Sequence, residues 1–469
     1  MGRDGAAPTV LWIRRALRFD DHPALAALAG PALLLFVRDE SVEAMGAAAR
    51  MRLGQSLAAF ERDAAGRGLR LVLRSGPAVA TVAGVAAEVG AGAVHWTQDD
   101  GSPGRAQDLA QDQALSDALA PVGIAGQAYP GAELAPHGAV LTRSGTPYTV
   151  FTPFWRALRA RDPGQPVAAP LRLRGWRGAV SSERLADWRL DSAMFRGAAV
   201  TGAFQSPGEV AARLRLADFL DRGLQGYAAG RDRPDLSATS GLSEHLAWGE
   251  ISPRRIWAET VAELDARPAL GAAGEKFLSE LGWRAFAWAT FAHRPDLADR
   301  AFRPDWDGFP WQPDGPEAEA WRRARTGEDL VDAGLREMFV TGRMHNRVRM
   351  VVASYLTKHL LTDWRVGLRW FAECLTDWDP AANAFNWQWV AGSGADAAPY
   401  FRIFNPRLQA DRFDPEGAYR RHWLEGKGAA AFAEAIPRAW GPPDRPGAPL
   451  VTPEAGRARA LAALARARR

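Results

Sequence analysis

Two neighbouring segments of this chain gather basic, aromatic, amide and acidic residues in a pattern that could hold a flat, charged partner. The first is Thr341-Gly342-Arg343-Met344-His345-Asn346-Arg347-Val348-Arg349-Met350. The second runs from Asp377-Trp378-Asp379-Pro380 through Asn383, Asn386, Trp387, Gln388 and Trp389 to Tyr400-Phe401-Arg402-Ile403-Phe404-Asn405-Pro406. Met344, Val348, Val351, Val352, Tyr355, Leu356 and Leu360 recur at helical spacing and are predicted to face a core. Arg343, Asn346, Arg347, Arg349 and Met350 are then left on or beside the opposite face. A lone basic run usually marks a solvated helix face. That meaning fits poorly where a Met and an Asn sit between the arginines and five aromatics follow. Guanidinium groups bind phosphate or carboxylate and aromatic faces stack planar rings, so the pattern points to a pocket for a planar anion.

Two further constellations precede it. Asp235-Leu236-Ser237-Ala238-Thr239-Ser240-Gly241-Leu242-Ser243-Glu244-His245-Leu246 puts small hydroxyl residues and a Gly at a helix start. Such a run is most often an N-cap, and the same geometry offers free N–H groups and a favourable dipole to a phosphate. In Phe277-Leu278-Ser279-Glu280-Leu281-Gly282-Trp283-Arg284, the last two residues share a helix face with Glu280. Taken alone, that is a common surface Glu–Arg pair beside a boundary tryptophan.

Met-His-Asn-Arg-x-Arg-Met at 344–350, followed by Trp-Gln-Trp-x-x-Gly-x-Gly-x-Asp-Ala-x-Pro-Tyr-Phe-Arg-Ile-Phe-Asn-Pro at 387–406, resembles the flavin domain of the DNA photolyase and cryptochrome family. The resemblance implies a helical domain holding FAD and a light-driven electron transfer. It assigns Thr239, Ser240, Leu242 and Ser243 to the FAD diphosphate, and Tyr227 to an upstream contact with the same cofactor. Glu280 matches a residue that reaches both adenine and lesion, Trp283 one that stacks on the lesion, and Arg284 one that contacts FAD. Phe277 replaces a Trp often found at its position and keeps an aromatic wall. Asp377 and Asp379 match flavin-pocket acids, the first expected to pair with Arg349. Asn346 is counted with both the cofactor and the lesion contacts. Trp387, Trp364 and Trp311 match a relay that carries electrons from the surface to the flavin; with 19 tryptophans in the chain, their register with flanking motifs is what singles them out. Asn383 matches the residue beside flavin N5, where plant cryptochromes carry Asp. An amide can accept from a protonated N5 but cannot supply a proton as an acid does, which favours a reduced flavin.

The elements that must position these residues fall into two kinds. Thr9–Ile13, Ala32–Val37, Leu69–Leu73, Ala93–Trp96 and Val122–Ala125 are short apolar runs separated by Ala/Leu-rich helical stretches, the signature of a parallel, doubly wound sheet. A helix from about Arg50 to Ala65 is predicted to bury Met51, Leu53, Leu57 and Phe60. From about Glu209 onward helical patterns dominate. The expected architecture is α/β plus all-α, which with the resemblance gives an antenna domain over 1–130, an interdomain connector over 131–207 whose stretch from about Asp162 to Pro207 lacks sustained periodicity and is expected to lie on the surface, and a helical FAD-binding domain over 208–469. Leu11–Leu25 and Thr142–Trp155 resemble the family's N-terminal opening and its bridge between domains.

A chain of 469 residues with a formal charge of +4 permits a polyanionic partner without demonstrating one. The single cysteine, Cys374, excludes a disulfide framework and a four-cysteine iron–sulfur cluster; no metal is expected. No apolar secretory run opens the chain, Ala6 stands where a myristoylation signal would want Ser or Thr, and no stretch is apolar enough to span a membrane, so cytoplasmic residence and no membrane partner are expected.

The resemblance implies light-driven repair of cyclobutane pyrimidine dimers in ultraviolet-damaged DNA by a monomeric deoxyribodipyrimidine photo-lyase. The excited, reduced, anionic flavin would pass an electron to a dimer flipped out of the duplex. Glu280, Trp283, Asn346, Arg347, Met350 and Trp389 match the lesion pocket, and Arg402, Arg407 and Arg412 are expected phosphate contacts at its mouth. Repair of the (6-4) photoproduct is disfavoured, because that branch places histidines where Asn346 and Met350 stand. The alternative is a cryptochrome-type blue-light photoreceptor without repair activity; such proteins often carry a long tail, whereas this chain is expected to stop near where photolyases do. Arg343 replaces the usual aromatic before Met-His-Asn and is expected to stack or to bind a phosphate. A second, antenna chromophore is compatible with the chain, but Pro103 and Gly104 stand where a folate-binding branch has Asn and Glu, so the folate mode is disfavoured.

Overall fold

Five parallel strands, β1 (Thr9–Ile13), β2 (Pro31–Arg38), β3 (Leu71–Ser75), β4 (Ala93–Thr97) and β5 (Ala125–Tyr129), form a sheet in the order β3-β2-β1-β4-β5, and a two-residue strand β6 (Arg174–Gly175) pairs with the start of β2. The computed structural model describes residues 7–98, 105–131, 133–136, 138–397, 402–444 and 446–467. Both sheet faces are covered, as the unbroken apolar runs of β1 and β2 require. Leu11, Ile13, Leu34 and Phe36 face the helix α1 (Ala47–Gly66) through Leu53, Leu57 and Phe60, while Val10, Trp12, Leu33 and Leu35 pack with Val82 and Val85 on the other side. The register Val10↔Leu33 and Leu11↔Leu34 keeps this period-two alternation aligned between strands.

Two expectations need correcting. The fifth strand lies at Ala125–Tyr129 instead of Val122–Ala125, because Val122 closes a short 3-10 turn that Gly123 ends at φ 70°. As an edge strand with Ala125, Gly126 and Gln127 exposed, it carries no apolar run to mark it. The connecting segment is also more than a surface strap. The stretch after Asp162 contributes β6 to the sheet, and ahead of it the stretch resembling the bridge forms a helix α2 (Phe151–Arg159) whose Phe151, Phe154 and Leu158 are buried in the core of the helical half.

The helical half is organised by α3 (Ser243–Ala247), α4 (Gly271–His293), α5 (Asp329–Thr341), α6 (Asn346–Ser354), α7 (Trp364–Cys374) and α8 (Pro380–Ala391). Met344, Val348, Val351, Val352, Tyr355, Leu356 and Leu360 are all buried as the spacing predicts, although α6 passes after Ser354 into a single π-helical turn, Tyr355–His359. Side chains set the starts of these helices: His345 Nδ1 accepts from Arg347 N–H, Asp363 caps α7, and Asp379 caps α8 just before Pro380.

Buried charges join the two halves. Arg52 of α1 donates to both oxygens of Glu250 at 2.9 and 2.8 Å, and Asp21 takes hydrogen bonds from Ser252 and Arg254. Because β1 lies between β2 and β4, the crossovers leave it in opposite directions and open a crevice at the strands' C-terminal ends. Arg15, Arg18, Thr97 and Gln98 line a cleft there, closed from the helical side by Arg284 and Trp288 of α4.

Candidate functional site

Glu280 stands on the middle of α4, where it accepts from Arg231 Nη1 at 2.5 Å and lies 2.9 Å from Lys276 Nζ. Arg231 also donates to the Tyr227 hydroxyl at 3.3 Å and covers its ring at 5.3 Å; burial pushes that phenol's pKa upward. Its chain neighbour Asp232 takes Arg347 of α6 at 2.9 Å. Consecutive residues 231 and 232 thereby tie the acid of α4 to the arginine of α6. Phe277 packs in the core against Phe219 at 4.6 Å and Tyr227 at 5.6 Å. Trp283 is partly exposed and lies face to face on Phe151 of α2, with centroids 3.6 Å apart.

Arg284 faces elsewhere. It pairs with Glu133 at 3.0 Å, lies 3.8 Å from Asp379 and covers Trp288 at 4.3 Å, lining the interdomain cleft. Asp379 is engaged by the fold itself, accepting from Ala382 N–H at 2.8 Å and from Trp288 Nε1 at 2.9 Å. Arg349 and Asp377 do pair, at 2.8 Å.

Along α6, Asn346 is exposed, and Arg347 and Met350 are partly buried beside it. Arg343 departs from expectation. Its guanidinium is bound to Glu244, a buried residue of α3 that also accepts from the Thr376 hydroxyl, so it neither stacks nor lies free for a phosphate. The reason is charge balance: a fully buried carboxylate needs a cation within reach. His345 is held neutral, its pKa lowered to about 4 chiefly by burial.

On α8, Asn383 Nδ2 donates to the Leu368 carbonyl at 3.0 Å, which leaves Oδ1 as an acceptor. Trp387 is buried among Phe371, at 4.8 Å, and Trp321, and its Nε1 has no partner among the described residues. Its close approach to α7 depends on Gly367, whose Cβ would lie 2.1 Å from the indole. Trp364, three residues earlier, is buried in the same cluster, and Trp311 packs against it from the rim. A parallel bridge, Gln312↔Thr362, pins the Trp311 loop beside the start of α7. Trp389 is partly buried against this cluster. Arg402 is exposed and covers Phe404 at 4.9 Å; Arg407 pairs with Glu328 at 3.0 Å; Arg412 and Arg347 flank Phe413 at 5.1 and 4.5 Å. Tyr400, Phe401, Pro103 and Gly104 fall outside the described residues.

The hydroxyl run suits a diphosphate. Thr239 and Ser243 are exposed, Ser240 is partly so, none of the three makes a side-chain hydrogen bond among the described residues, and Leu242 at the start of α3 provides no side-chain cap. An N-cap would show such a bond, so the simpler meaning of this stretch does not hold. Sequence reasoning missed Arg231, Asp232, Glu133, Glu244 and Phe151. The Tyr227/Arg231 spacing of four residues was a usable signal for the first; nothing local marks Glu133, whose partner is 151 residues away.

The profile described as the FAD binding domain of DNA photolyase matches residues 277–451, and that described as DNA photolyase matches residues 9–171. A deoxyribodipyrimidine photo-lyase of Agrobacterium fabrum is 41% identical over 428 residues, 89% of this chain and 87% of that protein. The chain belongs to the DNA photolyase family. A class III photolyase structure from Agrobacterium tumefaciens superposes with a TM-score of 0.90 at 40% identity, covering 99% of this chain and 98% of that one. A Synechocystis cryptochrome does so at 0.81 and 26% identity, covering 98% and 99%. The enzyme is thus a photolyase-type lyase with an FAD-binding domain, and its parallel-sheet and helical halves are those of the photolyase fold. No described helix is long and apolar enough to cross a membrane.

Proposed function

We propose that the chain repairs cyclobutane pyrimidine dimers in DNA, with FAD supplying, when bound and reduced, a photo-excited one-electron donor. The observation that carries this reading is the network Glu280–Arg231, Asp232–Arg347, which ties the acid of α4 to the basic face of α6. Thr239, Ser240, Leu242 and Ser243 would hold the diphosphate, and Tyr227, Phe277, Arg349 with Asp377, and Asn383 the rest of the cofactor. Asn383 Oδ1 is an acceptor that cannot donate a proton, which supports retention of the reduced state. Trp283 and Trp389 offer ring faces to the flipped bases. Glu280 accepts hydrogen bonds from the dimer, with Arg231 and Lys276 holding its carboxylate in place. Arg412 beside Phe413 and Arg402 beside Phe404, both exposed, are cations for the strand's phosphates. Trp387, Trp364 and Trp311 are oxidisable side chains leading from the core to the rim, suited to restoring the reduced cofactor. A second chromophore would lie in the crevice at the ends of β1 and β4; an archaeal photolyase from Sulfolobus tokodaii with two FAD molecules shares the fold with a TM-score of 0.77 at 24% identity. We infer that it is not held in the folate manner.

The test is a repair assay. Purified protein, reduced and illuminated with blue light, is expected to split thymine dimers in a defined duplex and to bind that duplex more tightly than the intact one. Equal binding and no splitting would replace this reading with the cryptochrome one.

A further inference from the structure

The aromatic side chains behind Trp283 form a column that the proposed function does not use. Phe151 and Trp155 occupy successive turns of one face of α2, and their rings are nearly parallel, at 12° with centroids 6.3 Å apart. Phe151 then covers Trp283 at 3.6 Å and 10°. Trp155 is steadied at the far end by the edge of Trp257 at 6.0 Å. The column fits against α4 only because residue 282 is glycine: a Cβ there would lie 2.4 Å from the Trp155 ring.

The near end is anchored to a different element. Phe151 N–H donates to Asp396 Oδ1 at 3.2 Å, and Asp396 N–H returns a bond to the Thr149 carbonyl at 3.0 Å. Asp396 belongs to the turn that follows α8 and holds a left-handed backbone, φ 52°, uncommon for any residue but glycine. The first turn of α2 thus touches both the helix that bears Trp283 and the loop that follows Trp389.

We propose that Phe151, clamped by Asp396, is a positioning residue for the lesion pocket: it fixes the tilt of the Trp283 indole and its spacing from the α8 wall, so that the flipped pyrimidine dimer meets a preset ring face. This rests on the reading of Trp283 as a lesion-stacking residue. A planar ring stacked on one face of an indole removes its freedom to rotate about χ2, and a base added to the other face then loses less entropy. The effect falls on recognition of damaged DNA. Binding of intact duplex and the photochemistry of the bound complex do not depend on it.

The experiment compares parent, Phe151→Leu, Phe151→Met and Phe151→Tyr as FAD-loaded proteins. Affinities for a duplex with one thymine dimer and for the same duplex intact are measured alongside repair yield per photon at saturating DNA, near-ultraviolet circular dichroism and FAD content. Loss of a preset stacking face is expected to weaken binding of the damaged duplex about tenfold in the Leu and Met variants. Intact-duplex affinity, FAD content and saturating yield should stay at parent levels, the tryptophan dichroism should change, and Tyr should restore damaged-duplex binding. Met retains the apolar volume, so a fold defect confined to Leu leaves the comparison standing. Damaged and intact affinities falling together, or FAD lost in step with affinity, would reduce Phe151 to a packing residue and overturn the proposal. So would a parent that discriminates damage while both variants bind damaged DNA as tightly as it does. A parent that itself shows no discrimination defeats the repair reading and this inference together.

Discussion

Replacing Arg52 by Met should weaken both the fold and the hold on FAD, and by an amount that depends on pH. Arg52 and Glu250 have no exposed side-chain surface, share two hydrogen bonds at 2.9 and 2.8 Å, and are joined by His245 Nδ1 at 2.5 Å from Glu250 Oε2. Burial alone would raise the Glu250 carboxyl, but the bonds from His245 and Arg52 outweigh it and hold the pKa at about 2, below the ordinary 4.5. A carboxyl depressed that far stabilises the folded state by roughly 3 kcal/mol, fully above pH 4.5 and less as pH falls toward 2. Removing the arginine leaves a buried carboxylate with only His245, a change that costs about 3–5 kcal/mol at neutral pH. Burial then pushes Glu250 upward, so the deficit should shrink as acid protonates it. His245 lies on α3 beside Ser243, so FAD should dissociate more readily from the variant. Urea unfolding at pH 7 and pH 4.5, with released FAD measured by fluorescence, gives both readouts. Arg52→Met with Glu250→Leu should recover most of the loss, since two apolar groups remove the uncompensated charge. An equal loss at both pH values, or a double variant no better than the single, would refute the electrostatic account and leave only packing.

Three further outcomes are expected. Trp387→Phe should block photoreduction of oxidised flavin while sparing repair by chemically reduced protein, because Phe keeps most of the packing yet is much harder to oxidise; flash photolysis showing equal rates in both proteins would remove the tryptophans from the scheme. Trp283→Ala should weaken damaged-duplex binding by about 1–3 kcal/mol, whereas Glu280→Ala should chiefly lower repair per absorbed photon, a division that titration and actinometry separate. Arg412→Ala should reduce the slope of log affinity against log salt by about 0.9, while Arg343→Ala leaves it unchanged because its charge is already spent on Glu244; a flatter slope in the Arg343 variant would contradict the pairing.

Most of the sheet was legible because a strand buried on both faces must be written as an apolar run, and β1 to β4 obey that rule within two residues. β5 escaped it. Its neighbour on one side is solvent, so Ala125, Gly126 and Gln127 satisfy the backbone ladder without any apolar pattern. α2 is a different case: Phe151, Phe154, Trp155 and Leu158 recur at helical spacing, and that signal was legible. Only the stretch after Asp162 lacks sustained periodicity, yet it pairs β6 with the sheet and buries Trp188 in the core on one sheet face.

At the site, side chains whose role depends on their own helix could be placed from spacing, and those whose role depends on a distant partner could not. The spacing of Met344, Val348, Val351, Val352, Tyr355, Leu356 and Leu360 alone places them in the core. Spacing does not place Arg343, whose partner Glu244 lies 99 residues earlier. Both residues depend on one another: a buried acid on α3 demands a cation, and the only local cue was an acidic residue directly after a hydroxyl run. The Phe151–Trp283 stack has the same character across 132 positions. Aromatic residues are common enough in any core that neither predicts the other, and only the glycine at 282, whose missing side chain makes room for the Trp155 ring one turn from Phe151, hints that the aromatics of α2 pass close by. Paired departures of this kind, a charge with its countercharge or a missing side chain with the ring that fills its space, are where the pocket of this photolyase is shaped, and a single-residue change to either member should disturb it more than a joint change to both.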